Sequence, residues 1–549
     1  MKFRNKYIPE NNQVFIYLFF LSFFLIGILI SDDYGISIDE PFHRSLGYFW
    51  YLQIFENFSN NSSEINLLRD KFNSMYWSEN IKQGQYREYG VIFDLVCVFF
   101  EEIFKVDSDQ QAFKLKHKFN FLIFFISSIF LFKLINLRFK KKLFALLVTF
   151  FYISSPRIFA ESFYNPKDVI FMSFCLYSFY FCSKTLNNPT TVNIIFFSLF
   201  SALATSVRIL GILFIFLFIT FIIFSILEKK GSLKRNLKLI LLHIFSYSIF
   251  LYALWPFLWD APLQNIVIAF KSFSNYEWGG SVLYFGKFIQ AISLPWHYVP
   301  VWIYITLPII VFLFFLIGFL YILRKFIKGF LNLSDRNSLW RENLELIDFF
   351  LLSFFLVTIF AINIFNSTLY GGWRHLYFLY PLIIYFLAHG ISLFLNFKIY
   401  KIIRYLISII LIFAVINNVY ILIKFHPYQN VFFNITLEKK ANLLFPIDYW
   451  GLSNADALKY IDNIEKKDFS ISVASFTPLN YSKLIFLSKN KINTLGTDKN
   501  GANYILTNFY FENDPKIFSK YNIPEDYEKV YTIKRGNILI NEIYKKRIR

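Results

Sequence analysis

Apolar runs of about twenty residues recur along most of this chain, and that is the length a helix needs to cross a bilayer core. Few folds remain open to such a chain. Backbone N–H and C=O groups in hydrocarbon must bond one another, so only helices and closed barrels span membranes. Barrel strands would read as alternating segments of about ten residues, which these runs do not. The 549 residues are 56% hydrophobic, with a mean hydropathy of +0.45. The pattern predicts an all-α polytopic membrane protein.

Eleven spans are expected, near residues 13–31, 118–137, 142–157, 168–185, 191–207, 209–227, 239–258, 298–323, 347–366, 375–396 and 402–423. The run 191–227 is too long for one span, so a hairpin turning at Arg208 fixes the count. The net charge of +19 would suit a nucleic-acid binder, but its distribution argues against that partner. The basic residues gather in short loops between apolar runs, where they set topology. Lys133, Arg138, Lys140, Lys141 and Lys142 form one group, and Lys229, Lys230, Lys234, Arg235 and Lys238 another. Arg324, Lys325, Lys328, Arg336 and Arg341 form a third, and Lys398, Lys401 and Arg404 a fourth. All fall on the side of the N-terminal Lys2, Arg4 and Lys6, which reads as cytoplasmic. The first apolar run lacks a small-x-small cleavage site and is expected to stay as a helix.

The opposite side then receives the long loop 32–117, the short loop 156–168, the aromatic loop 259–297 and everything after 423. Val91 to Phe104 is too short for a span and carries Asp94, Glu101 and Glu102; it reads as a helix lying in the interface. The chain divides into a transmembrane domain, 1–423, and a small α/β domain outside the cytoplasm, 424–549. In the tail a helix is expected at Leu452–Ile464 with Ser453 as N-cap. Strands are expected at Phe469–Phe476 and Ala502–Phe511, with a hairpin at Lys529–Tyr544 turning at Arg535-Gly536-Asn537. None of the three cysteines, Cys97, Cys175 and Cys182, lies in the tail, so no disulfide framework holds it.

Ionisable groups collect on that outer side, where membrane depth makes them costly and points to function. Asp39 and Glu40 follow the first span. Glu161, Asn165, Lys167 and Asp168 lie between spans three and four, and Arg208 ends span five. His297 opens span eight, and Arg374 and His375 open span ten. Each has a plainer reading. The acid pair could be solvated at a helix end, and Asp168 could simply favour a helix start. Arg208 could snorkel, and Arg374-His375 could cap a helix. His243 and His389 read as packing residues. Together, carboxylates and cations at a lipid-facing cleft suit transfer from a lipid-linked phosphate. The cations would stabilise the departing phosphate, and one carboxylate would take a proton from an incoming hydroxyl. Asp39 and His43, four apart, could instead ligate a divalent cation.

These motifs resemble the GT-C superfamily of membrane glycosyltransferases, in the branch of protein O-mannosyltransferases and lipid A aminoarabinose (ArnT-like) transferases. The residues that carry the resemblance are Asp39-Glu40, the polar stretch 156–168, Leu294-Pro295-Trp296-His297-Tyr298, Gly372-Trp373-Arg374-His375 and Asp448-Tyr449-Trp450-Gly451. The resemblance implies a polyprenyl-phosphate sugar donor and metal-independent, inverting transfer to a hydroxyl of a glycolipid, polysaccharide or protein. It implies no cofactor, with Asp39 as general base and Glu40 as its partner. Lys167, Arg208, Arg374 and His375 would hold the donor phosphate. Glu161, Asn165, Asp168 and His297 would line the donor or acceptor cleft. The expected location is a bacterial inner membrane with the site facing the periplasm. The alternative is a secondary transporter or flippase of lipid-linked or anionic substrates. Transporters usually show two related halves, and none are visible here.

Overall fold

The computed structural model describes residues 10–274, 278–332, 338–396, 401–486 and 489–547. Lys2, Arg4, Lys6, Arg336 and Lys398 lie outside the described residues. The protein is a multi-pass, mostly helical membrane protein with a small mixed sheet near its C-terminus. Among the described residues nine helices are long and apolar enough to cross a membrane. A bent pair makes ten, and Thr191–Val207 is a shorter apolar helix.

The first half runs α1 (Glu10–Ile30), α2 (Glu40–Phe58), α3 (Ser62–Asn73), α4 (Ser78–Lys82), α5 (Ile92–Ile103) and α6 (Asp109–Phe139). Then come α7 (Lys142–Ile153), α8 (Pro156–Tyr164), α9 (Asp168–Asn187), α10 (Thr191–Val207), α11 (Leu213–Leu227), α12 (Leu233–Leu254) and α13 (Pro262–Ser274). A hairpin of β1 (Ser281–Tyr284) and β2 (Lys287–Gln290) precedes α14 (Tyr298–Thr306) and α15 (Ile309–Leu331). Helices Asn343–Ile364, Tyr380–Asn396 and Lys401–Phe425 complete the bundle.

Three spans differ from expectation for local reasons. The run 142–157 bends by 69° between α7 and α8, because Pro156 lacks an N–H to continue the helix and instead opens α8 at its first position. The run 298–323 is broken at Leu307-Pro308 in the same way. Helix α6 begins at Asp109, nine residues early, where the Ser108 hydroxyl caps the Gln111 N–H at 3.3 Å. The long first loop is itself helical. Its α5 turns Val96, Phe99 and Ile103 outward and Asp94 and Glu101 inward, as an interfacial helix docked on protein would.

In the C-terminal region the helix Ser453–Ile464 forms, but Ser453 does not cap it. Leu452 holds the cap position, and the Ser453 hydroxyl donates to Asp448 Oδ2 at 2.5 Å. The sheet order is β4-β3-β5-β7-β6, from β3 (Phe469–Val473), β4 (Ile492–Thr494), β5 (Tyr504–Thr507), β6 (Tyr527–Arg535) and β7 (Ile538–Lys546). The β6–β7 hairpin turns at Gly536-Asn537, as its turn residues require. Short β4 carries no strong pattern and escaped the sequence reading. So did the β1–β2 hairpin, which ties the bundle to the tail through Ser281 N–H to Glu512 C=O at 2.6 Å.

Two spans form the centre. The windows starting at Asp168 and Arg374 are 83% and 78% buried, against 17–50% for the other seven. Asp168 opens the first of these helices, and Arg374 opens the 3-10 turn, Arg374–Leu379, that leads into the second, Tyr380–Asn396.

Candidate active site

Asp168 and Arg374 meet at the ends of their helices. Asp168 opens α9, where the helix dipole favours an acid. Its carboxylate is 1% exposed and sits between two arginines: Oδ2 lies 3.0 Å from Arg374 Nη1, and Oδ1 pairs with Arg208 Nη2. Asn165 donates to Oδ2 at 3.2 Å and accepts from the Asp168 N–H at 2.9 Å, fixing the turn into α9. Arg374 Nη1 also lies 3.0 Å from Asp39 Oδ2. One guanidinium therefore bridges a buried carboxylate and a partly exposed one, Asp39 being 27% exposed.

The backbone around Arg374 explains its placement. Gly371 and Gly372 take φ of +65° and +77°, which L side chains resist, and a Cβ on Gly371 would press the Arg374 Cδ at 3.1 Å. The guanidinium is then caged by Tyr370 and Tyr449, each 4.9 Å from its carbon, and by Trp450 at 5.1 Å. Its Nη2 donates to the Tyr449 hydroxyl at 2.9 Å. Tyr449 and Trp450 come from the C-terminal region. The Trp450 carbonyl accepts the Ile38 N–H at 3.2 Å, one residue before Asp39. Burial raises the Tyr449 hydroxyl well above its ordinary range despite Arg374, so it stays a neutral partner.

Two further cations face this place. Arg208 caps the end of α10. The loop before α5 presses on that end because Gly90 has no side chain; a Cβ there would sit 1.3 Å from the Ser206 carbonyl. The same loop brings Tyr89 under Lys167, whose Nζ is 3.8 Å from the ring centroid, with Phe273 at 5.8 Å. Lys167 forms no ion pair among the described residues. Burial, and then the Arg208 charge, hold its ammonium well below the ordinary lysine range. His375 meets the Tyr370 ring edge-on at 4.7 Å, and its Nδ1 has no hydrogen-bond partner among the described residues.

Other expected residues lie one layer back or elsewhere. Glu161 accepts from the Tyr377 hydroxyl at 2.6 Å and from Asn165 Nδ2 at 2.9 Å, so Asn165 ties it to Asp168. Glu40 is fully buried. Its Oε2 accepts the Ser37 N–H at 2.7 Å, and its Oε1 lies 2.9 Å from His117 Nε2, off-line for a hydrogen bond. It fixes the turn that presents Asp39 and makes no contact with Arg374. His297 bonds the Tyr284 hydroxyl at 2.6 Å, in the β1–β2 hairpin, and does not join the cluster. Asp39 and His43 do not converge either. His43 Nδ1 lies 3.0 Å from Asp94 Oδ2, and Lys116 Nζ lies 2.7 Å from Asp94 Oδ1. His243 packs in a stack on Phe197, whereas His389 belongs to an ionic cluster with Asp348 and Arg138.

The role of Tyr449 and Trp450 was not read from the sequence as site chemistry. Their one signal was the stretch Asp448-Tyr449-Trp450-Gly451. There Gly451 takes φ of +71°, and the buried Asp448 carboxylate accepts the Leu452 and Ser453 N–H groups at 3.2 and 3.0 Å. That is a built turn presenting two aromatics.

No family model matches the chain, and no curated protein matches it. The chain is similar to solved membrane-enzyme structures at low identity. One is the archaeal oligosaccharyltransferase AglB from Archaeoglobus fulgidus, in complex with an inhibitory peptide and a dolichol-phosphate. Identity is 12%, over 90% of this chain and 70% of that one, with a TM-score of 0.48. Another is ArnT from Cupriavidus metallidurans bound to undecaprenyl phosphate, with 11% identity over 96% and 98% of the two chains and a TM-score of 0.41. The same ArnT in the apo state gives 11% identity, 97% and 98% coverage and a TM-score of 0.44.

Proposed function

We propose that the protein is a membrane glycosyltransferase that moves a sugar from a polyprenyl-phosphate donor to an acceptor hydroxyl, with inversion at the anomeric carbon. The observation that carries this reading is Arg374, held between Asp39 and Asp168 at 3.0 Å each. Arg208 and Arg374 are standing cations, Lys167 becomes a third when an incoming phosphate charge favours its ammonium, and Asp168 neutralises only part of them. Such a site favours a group whose negative charge grows during the reaction.

The donor phosphate competes with Asp39 for Arg374. Once Arg374 turns to the phosphate, Asp39 is released from its ion pair and is free to face the acceptor. It then takes the proton of the acceptor hydroxyl. The hydroxyl oxygen attacks the anomeric carbon, and the carbon–oxygen bond to phosphate breaks. The bonding pair leaves with the polyprenyl phosphate, whose charge Arg374, Arg208 and Lys167 hold. Glu40 acts from behind, fixing the turn that aims Asp39. The basic loops support a site facing away from the cytoplasm, and the membrane we propose for it is a bacterial inner membrane.

The test is purified protein in proteoliposomes with a labelled polyprenyl-phosphate sugar of known anomeric configuration and a glycolipid or glycan acceptor. The expected product carries the opposite configuration. Movement of the donor across the bilayer with no glycosidic product would favour a flippase instead.

A further inference from the structure

Arg157 is the cation that this chemistry leaves unused. It is the second residue of α8 and 7% exposed. No carboxylate comes within 4.0 Å of its guanidinium among the described residues, and its Nε and Nη2 are buried without a hydrogen-bond partner. Glu161, one turn along α8, feels the Arg157 charge but stays beyond ion-pair distance, its oxygens accepting from Tyr377 and Asn165. The guanidinium is instead held between two rings, 5.4 Å from the Trp302 centroid and 5.5 Å from that of Phe433. Ring contacts offset only part of the cost of burying a charge.

The walls around it offer donors. Among the described residues Trp302 Nε1 and the Tyr298 hydroxyl, both in α14 and 1% exposed, make no well-formed hydrogen bond, although they lie near each other and the Gly372 backbone lies near the hydroxyl. Phe445 packs on Trp302 at 5.3 Å and on Phe433 at 5.8 Å, closing the far side with an apolar ring. A buried arginine fork beside an indole N–H and a phenol suits one oxyanion, carboxylate or phosphate, which can accept two parallel N–H bonds. The place is also close to the transfer site. Gly372, two residues before Arg374, sets its Cα hydrogens against the Trp302 ring, where a Cβ would lie 3.4 Å away.

We infer that Arg157, walled by Trp302, Phe433 and Tyr298, is a second anion site that takes a single carboxylate or phosphate group, separate from the Arg374–Arg208–Lys167 cluster. The anion is carried by a lipid-linked or acceptor molecule, or is a free ion. The inference stands whether or not Asp39 performs the proposed transfer.

Inorganic phosphate is the first probe, in equilibrium dialysis against the full chain in nanodiscs of neutral lipid. The wild type is expected to bind two phosphates. Arg157→Met, similar in length but uncharged, is expected to bind one. Lys167→Met is expected to weaken the other site and spare the one that depends on Arg157. Arg157→Lys keeps a cation but loses the fork, and should bind at that site about tenfold more weakly. Equal stoichiometry and affinity in wild type and Arg157→Met overturn the inference. If Arg157→Met does not fold, unchanged affinity in Arg157→Lys overturns it. Adding polyprenyl phosphate to the nanodiscs separates the sources. Displacement of the Arg157-dependent phosphate points to a lipid-borne anion, and its retention to a free ion; both sustain the site.

Discussion

Asp168 is the residue on which the cluster balances. It is buried and shared by two arginines, so Asp168→Asn leaves like charges facing each other in a place that water barely reaches. Breaking such a buried pair costs about 3–5 kcal/mol, and a fall of the thermal midpoint in detergent checks it. Tyr449→Phe removes one hydrogen bond to Arg374 and keeps the ring. It should lower stability by about 1.5–3 kcal/mol, the worth of one hydrogen bond to a charged group, a smaller fall of the midpoint than in Asp168→Asn, and slow turnover. Asp94 gives a pH test away from the chemistry. Burial pushes its carboxyl up, but Lys116 and His43 outweigh burial and hold it below the usual range. Its contribution to stability is therefore full above the ordinary carboxylate value of about 3.9, and is lost as pH falls through the lowered folded value. Acid unfolding followed by tryptophan fluorescence should be less steep in Asp94→Asn. At this scale Asp39, Asp168, Arg208 and Arg374 were legible in the sequence, because ionisable residues near apolar runs are rare enough to stand out. Glu40, expected as the partner acid, turns its side chain to Ser37 and His117 rather than to Arg374, because adjacency in sequence says nothing of direction.

Helix ends place these residues, and helix crossings place the ends. The helix that follows Arg374 crosses α15 with two glycines in mutual contact. A Cβ on Gly318 would lie 1.8 Å from the Phe386 carbonyl, and one on Gly390 2.0 Å from that of Phe314. Small residues at such crossings let backbones approach where lipid gives no hydrophobic drive. Gly318→Ala and Gly390→Ala should each destabilise by about 1–3 kcal/mol, the usual cost of overpacking. Both should also lower transfer, since the helix that positions Arg374 must shift; midpoint and turnover measured together check this. The spans were legible because their length is dictated by the bilayer. Their breaks at Pro156 and Pro308 were not, because the apolar pattern runs straight through them. The helices of the first loop were missed for the opposite reason: α2 buries a face that mixes Glu40, His43 and Arg44 with apolar residues, and α3 and α4 are short and bury only Leu68, Phe72, Ser78 and Ile81.

The whole molecule brings four distant segments to one point. The turn before α2 carries Asp39, the two innermost helices bring Asp168 and Arg374, and the C-terminal region lays Tyr449 and Trp450 over the arginine. None of this convergence can be read from spacing along the chain, since it depends on how helices cross. The account makes Asp39 a base that Arg374 restrains until the donor arrives. Asp39→Asn tests that most directly, with donor binding and single-turnover transfer measured on the same preparation. The account expects polyprenyl-phosphate sugar to bind at least as tightly as in the wild type, because Arg374 loses a competitor. It expects transfer to fall by about 10²–10⁴, the range of general-base catalysis. Transfer by Asp39→Asn at the wild-type rate would contradict the central claim.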